Sequence, residues 1–159
     1  IFLDIHMMVK NPDPLLKKIA DAGASNITVH FEACDNIKKT ISEIKKLDIQ
    51  AGIAINPDTS AKNIIDMLKD VDLILAMTVY PGLPSQSFIP AVLSKIKEIR
   101  KSINELGLST ILEVDGGINT DTAKLTVEAG ANMIVAGSAV FNNLKSTSDS
   151  IEELRKSVL

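Results

Sequence analysis

Leu73-Ile74-Leu75-Ala76-Met77-Thr78-Val79 is apolar at every position but one. Successive side chains of a strand point to opposite faces, so an unbroken apolar run of this length describes a strand covered on both sides. Helix-flanked parallel sheets bury their strands in this way. The pattern repeats outward in both directions. Strand-like runs stand at roughly 2–9, 26–33, 50–56, 73–79, 110–115 and 133–138, and amphipathic helical stretches at roughly 13–22, 36–47, 61–69, 89–105, 121–129 and 148–158. Strand starts recur about every 24 residues, with one longer gap between 73 and 110. Asp21-Ala22-Gly23-Ala24 before the second strand is echoed by Glu128-Ala129-Gly130-Ala131 before the sixth, each glycine falling where a helix should end. Asp13, Ser60 and Thr120 read as helix N-caps.

Strict alternation of strand and helix implies right-handed crossovers and a parallel sheet, either open and doubly wound or closed as a barrel. No Gly-x-Gly-x-x-Gly follows the first strand, which weakens the dinucleotide-binding open sheet and favours the barrel. Six strands cannot close the standard eight-stranded version. The stretch Ile1-Phe2-Leu3-Asp4-Ile5-His6-Met7-Met8-Val9 reads as a strand from its first residue, without a starting Met or the composition of a signal peptide. Upstream sequence is therefore expected to be missing. The expected architecture is α/β: a (β/α)8 barrel cut to about six βα units, with residues 1–159 as one partial domain.

Composition narrows the partners. A net charge of −3 argues against a nucleic-acid partner, which would want a basic face, and no run of about 18 uncharged apolar residues suggests a membrane span. A single cysteine, Cys34, excludes an internal disulfide framework and fits a reducing, cytoplasmic compartment. The unpaired edges of a six-unit piece lead us to expect a homo-oligomer.

Functional residues of such folds lie at the C-terminal ends of the strands and in the loops that follow. Four clusters occupy those positions: His6-Met7-Met8, Pro81-Gly82-Leu83-Pro84-Ser85-Gln86, Asp115-Gly116-Gly117 and Gly137-Ser138. His6 reads as a core histidine satisfied by a backbone carbonyl or as a ligand. Asp115 ends an apolar strand, where a carboxylate needs a partner; it reads either as a metal ligand beside an imidazole or as part of a strand-ending turn. Gly116-Gly117 and Gly137-Ser138 end consecutive strands, where missing Cβ atoms let backbone N–H groups approach a phosphate. His30 and Glu32 share one strand face and read equally as site residues or structural hydrogen-bonding groups. Cys34 reads as a buried thiol, since no activating base is evident, and Met7, Met8 and Met77 as core packing.

Taken together, these clusters resemble the ribulose-phosphate 3-epimerase family along essentially the whole chain. The resemblance is carried by Leu3-Asp4-Ile5-His6-Met7-Met8-Val9, Ile27-Thr28-Val29-His30-Phe31-Glu32-Ala33 and Ala51-Gly52-Ile53-Ala54-Ile55-Asn56-Pro57-Asp58-Thr59. It continues through Met77-Thr78-Val79-Tyr80-Pro81-Gly82, Gln86-Ser87-Phe88-Ile89, Val114-Asp115-Gly116-Gly117-Ile118, Ala129-Gly130-Ala131-Asn132 and Ala136-Gly137-Ser138-Ala139.

The resemblance implies a (β/α)8 barrel of the ribulose-phosphate-binding type that interconverts D-ribulose 5-phosphate and D-xylulose 5-phosphate. It implies a divalent cation, zinc first, with manganese, iron or cobalt as alternatives. His6 becomes a metal ligand, and Asp115 both a ligand and one of two catalytic carboxylates. Gly116, Gly117, Gly137 and Ser138 become phosphate contacts together with the loop Gly82, Leu83, Pro84 and Ser85, and Met8 and Met77 flank the reacting carbons. Two departures stand out. The family's first two βα units, with a substrate-binding Ser and a His and an Asp that serve as ligands, have no counterpart here, so this chain alone is expected to be inactive as an epimerase. Pro84 and Ser85 stand where the family has adjacent glycines, and Pro84 cannot donate a backbone hydrogen bond. The alternatives are a ketohexose-6-phosphate (allulose 6-phosphate) epimerase, a decarboxylating or condensing sugar-phosphate barrel, and a phosphate-binding partial barrel without chemistry. No lysine lies inside a strand to serve the second of these; Lys10 only follows the first strand.

Overall fold

The central apolar runs become strands because a helix layer buries one face of each and the inside of the curled sheet buries the other. The computed structural model describes residues 1–82 and 86–159. Its strands are β1 (Asp4–Met7), β2 (Asn26–His30), β3 (Gln50–Ile55), β4 (Leu73–Met77), β5 (Ile111–Asp115) and β6 (Met133–Val135). They pair in parallel in the order β1-β2-β3-β4-β5-β6, so every connection is a crossover between sequence neighbours. The helices are α1 (Leu16–Asp21), α2 (Ile37–Lys45), α3 (Val92–Glu105), α4 (Thr120–Glu128) and α5 (Thr147–Ser157). Among the described residues no helix is long and apolar enough to cross a membrane.

Alternate residues separate into two layers. Ile27, Val29, Ile53, Ile74 and Leu112 lie on the outer face and pack with Ile41, Ile44, Ile96, Ile99 and Ile103 of the helices, all essentially inaccessible to water. Each such side chain contributes about 1.5–3 kcal/mol by leaving water. The inner face carries a smaller apolar cluster of Ala54, Leu73, Leu75, Met77 and Val79. Beside it lie buried polar groups: Asn26, Thr28 and Glu113 are at most 2% exposed. Asn26 Nδ2 donates to Asp4 Oδ1 at 2.6 Å and to Thr28 Oγ1 at 2.8 Å. Gly52 is required here, because a Cβ would fall 2.3 Å from Thr28 Oγ1.

The strands are shorter than the apolar runs. The stretch expected to continue β2 to residue 33 turns into a 3-10 turn at Phe31–Ala33. The connection expected as a helix over 61–69 is two 3-10 turns, Ala61–Asn63 and Ile65–Asp70. Its buried residues are Ala61, Ile64, Met67 and Leu68, with Val71 just beyond it. Ser60 does cap this segment, accepting from the Lys62 N–H. The cap of α4 is Asn119 rather than Thr120, and the Asn119 side chain and Thr122 hydroxyl form a reciprocal capping box. Asp13 caps nothing: its carboxylate accepts from the Thr40 hydroxyl at 2.6 Å and ties the first crossover to α2. Gly23 and Gly130 end α1 and α4 with φ of +102° and +113°, as their sequence echo suggests.

Candidate active site

The four clusters converge at the C-terminal ends of the strands. Met77 on β4, Asp115 with Gly116 and Gly117 after β5, and Gly137-Ser138 after β6 line one cavity of about 450 Å³. Met8 and Gly82 line it from the loops after β1 and β4. Met8 is 58% exposed and Met77 2%, so one methionine faces the mouth and the other the floor, while Met7 belongs to the outer core. Leu83, Pro84 and Ser85, the other expected residues of the loop after β4, lie outside the described residues.

His6 sits beside this cavity rather than in the helix-side core. Its Nδ1 lies 3.8 Å from Asp115 Oδ2. The two belong to β1 and β5, four strands apart, so only a curled sheet can bring them together. Its other nitrogen, Nε2, is 2.8 Å from His30 Nε2, with the rings tilted by 31°. Among the described residues no backbone carbonyl satisfies it in the way the core-histidine reading required. His30 Nδ1 in turn faces Glu32 Oε2 at 3.4 Å. Glu32 Oε1 accepts from the Asn56 N–H at 2.8 Å and from the Thr59 hydroxyl. Burial alone would raise the Glu32 carboxyl, but the hydrogen bonds from His30, Thr59 and the Asn56 N–H outweigh it and hold its pKa at about 2. His30 and Glu32, left open between two readings by the sequence, therefore adjoin the site.

The end of β5 is fixed by a residue that sequence reasoning passed over. Thr78, fully buried, donates its backbone N–H and its hydroxyl to the Asp115 carbonyl, each at 2.9 Å, and the same hydroxyl reaches the Gly116 carbonyl. A threonine inside an apolar run is the one signal that could have drawn attention to it. The glycines of the turn have an internal reason as well. A Cβ on Gly116 would lie 2.3 Å from Val79 Cγ2, and one on Gly117 2.6 Å from the Phe88 backbone nitrogen. Around Gly137, by contrast, a Cβ would meet nothing within 4 Å. Cys34 is half-buried, and burial raises its thiol pKa, which leaves it a weak nucleophile.

An imidazole nitrogen and a carboxylate oxygen 3.8 Å apart are too distant to hydrogen-bond each other. They are correctly spaced to share one divalent ion, whose bonds to such atoms run to about 2.0–2.2 Å. His6 and Asp115 therefore fit as two donors of a metal site. Among the described residues no group of three or more His, Cys, Asp or Glu side chains is placed to hold an ion.

A sequence model described as the ribulose-phosphate 3-epimerase family matches residues 1–141. The ribulose-phosphate 3-epimerase of Bacillus subtilis is 45% identical over 156 residues, which cover 98% of this chain and 71% of that protein. The ribulose-phosphate 3-epimerase of Chlamydia pneumoniae is 43% identical over 143 residues, 89% of this chain and 62% of that protein. Among solved structures, a 3-hexulose-6-phosphate synthase superposes with a TM-score of 0.72 at 18% identity, covering 98% of this chain and 73% of that one. The orotidine 5'-phosphate decarboxylase of Pyrococcus horikoshii does so with a TM-score of 0.69 at 15% identity, covering 99% and 74%. At such identities the likeness is one of fold alone.

Proposed function

The chain belongs to the ribulose-phosphate 3-epimerase family, and on that premise we propose that its cavity serves epimerisation at C3 of a ketopentose 5-phosphate, interconverting ribulose and xylulose 5-phosphates. The observation that carries this reading is the approach of His6 to Asp115 beside the cavity that Gly137 and Ser138 also line.

A proton next to a carbonyl is too weakly acidic for an unaided carboxylate, so the charge that develops must be stabilised as it forms. A divalent cation held by His6 and Asp115, zinc by preference, would supply that stabilisation as a Lewis acid. Asp115 is the base for one face: its carboxylate takes the C3 proton, and the C–H electrons form the C2–C3 double bond of an enediolate. Inversion requires reprotonation from the opposite face by a second acid. Asp115 is the one carboxylate among the described residues lining this cavity. The 159-residue chain alone therefore exchanges the C3 proton without inverting the carbon. Met8 and Met77 shield the enediolate from water without offering a competing proton. The open space at Gly137 receives the phosphate against the loop after β6.

The test incubates the zinc-loaded chain with each pure epimer in deuterated water and follows C3 labelling separately from inversion. We expect label to enter one epimer and not the other, and Asp115→Asn to reduce this exchange by at least 100-fold, the order of a lost general base. Bound sugar phosphate with no exchange by the unsubstituted chain, or undiminished exchange by Asp115→Asn, would refute the assignment.

A further inference from the structure

Four imidazole nitrogens line up between two carboxylates, and three of them have hydrogen-bonding partners within 3.5 Å. The row runs Asp115, His6, His30, Glu32, with gaps of 3.8, 2.8 and 3.4 Å. We propose that Glu32 and His30 act as positioning residues that lock His6 in its Nε2–H tautomer, leaving the Nδ1 lone pair facing Asp115. This rests on the reading of His6 and Asp115 as a metal pair and adds what prepares it.

The polarity of the row is set from its far end. Glu32 Oε1 already receives the Asn56 N–H and the Thr59 hydroxyl, two donors that favour an ionised carboxylate. An ionised carboxylate only accepts. His30 Nδ1, opposite Oε2, must therefore carry a hydrogen. A neutral His30 then has a bare Nε2, and this atom lies 2.8 Å from His6 Nε2. Two lone pairs cannot face each other at that distance, so the intervening hydrogen belongs to His6. With Nε2 protonated, neutral His6 keeps its lone pair on Nδ1, the nitrogen across the 3.8 Å gap from Asp115. A metal-binding imidazole needs that lone pair and gains basicity from donating its other N–H. Glu32 is itself held by the loop after β3. Lys95, on α3, donates to the Asn56 and Pro57 carbonyls at 2.7 and 2.6 Å and so fixes the backbone that supplies the Asn56 N–H.

The arrangement can be read without any metal. The chain has two histidines, so one His30→Asn variant assigns both rings. In the chain with ¹⁵N-labelled histidine, treated with chelator at about pH 8.5, well above the ordinary imidazole range, long-range proton–nitrogen correlation distinguishes the tautomers. We expect His6 as Nε2–H and His30 as Nδ1–H. Glu32→Gln must still accept from Asn56 and Thr59 through its oxygen, so its NH₂ turns to His30. That should reverse the row, shifting His30 to Nε2–H and His6 to Nδ1–H. His6 found as Nδ1–H, or as an even mixture, in the unsubstituted chain would overturn the proposal, a result that needs no variant to fold. An unmoved His6 in folded Glu32→Gln would overturn it as well. Either result leaves the epimerase reading intact, whereas failure of Asp115-dependent exchange would remove that reading without altering the tautomers.

Discussion

Glu113 shows how one side chain can be held against its ordinary chemistry. It lies on the inner face of β5, 2% exposed, one layer below Asp115. Burial first, then the nearby charge of Asp4, a hydrogen bond with Asp4 and the charge of Asp115 raise its carboxyl pKa to about 8. The unfolded carboxyl releases its proton near 4.5, so between that pH and about 8 the folded chain binds more protons than the unfolded one. Its contribution to stability thus falls as pH rises through this window and is flat on either side. Glu113→Gln keeps the shape and a donor toward Asp4 without a titrating proton. With chelator present, its unfolding free energy should exceed that of the unsubstituted chain by a few kcal/mol at pH 8, the gain shrinking toward pH 4.5. Denaturant melts across that range measure it, and parallel curves for the two proteins would show that Glu113 is ionised in the fold.

The loops that end β5 and β6 both carry glycine, for different physical reasons. Gly117 has φ +63° and the Phe88 backbone within 2.6 Å of any added Cβ, so the packing of the loop after β4 against the end of β5 demands it. Gly137 has neither a positive φ nor a neighbour within 4 Å of a Cβ. Gly117→Ala should therefore cost about 2–4 kcal/mol of stability through strain and overpacking. Gly137→Val should leave the melting temperature within a few degrees while weakening inorganic phosphate binding at least tenfold. Thermal melts and phosphate titrations of the two variants separate the cases; unweakened phosphate binding by Gly137→Val would place the anion elsewhere.

For the whole molecule, the strand order leaves β1 and β6 each paired on one side. Unpaired parallel edges invite a second chain. Near β6 the problem is compounded by an apolar groove of Ile134, Ala136, Phe141, Leu154 and Val158, with Phe141 73% exposed. The chain should therefore self-associate in a concentration-dependent way, and Phe141→Asp should lower the apparent mass. Sedimentation velocity from about 5 to 200 μM tests this, with a monodisperse monomer throughout as the contrary result.

The sequence by itself determined six strands alternating with helical segments (the one between β3 and β4 formed as 3-10 turns), the parallel sheet, the glycine ends of α1 and α4, and the loops that would carry chemistry. These are local properties: periodicity, turn residues and position along a strand are written in consecutive residues. Met77, Asp115, Gly116, Gly117, Gly137 and Ser138 accordingly line one cavity, as their places after successive strands imply. Only the tertiary structure decided which faces of the continuous apolar runs look inward, since an unbroken run has no alternation to read. The family resemblance implied that His6 and Asp115 hold one cation; the structure sets them 3.8 Å apart and adds that His6 also meets His30. The first contact depends on the curl of the sheet across four strands and the second on the stagger between β1 and β2, where Thr28, not His30, is the paired neighbour of His6. Neither curvature nor stagger has a period in the sequence. The same is true of Glu113, whose burial beside Asp4 exists only once β5 faces β1 across the interior.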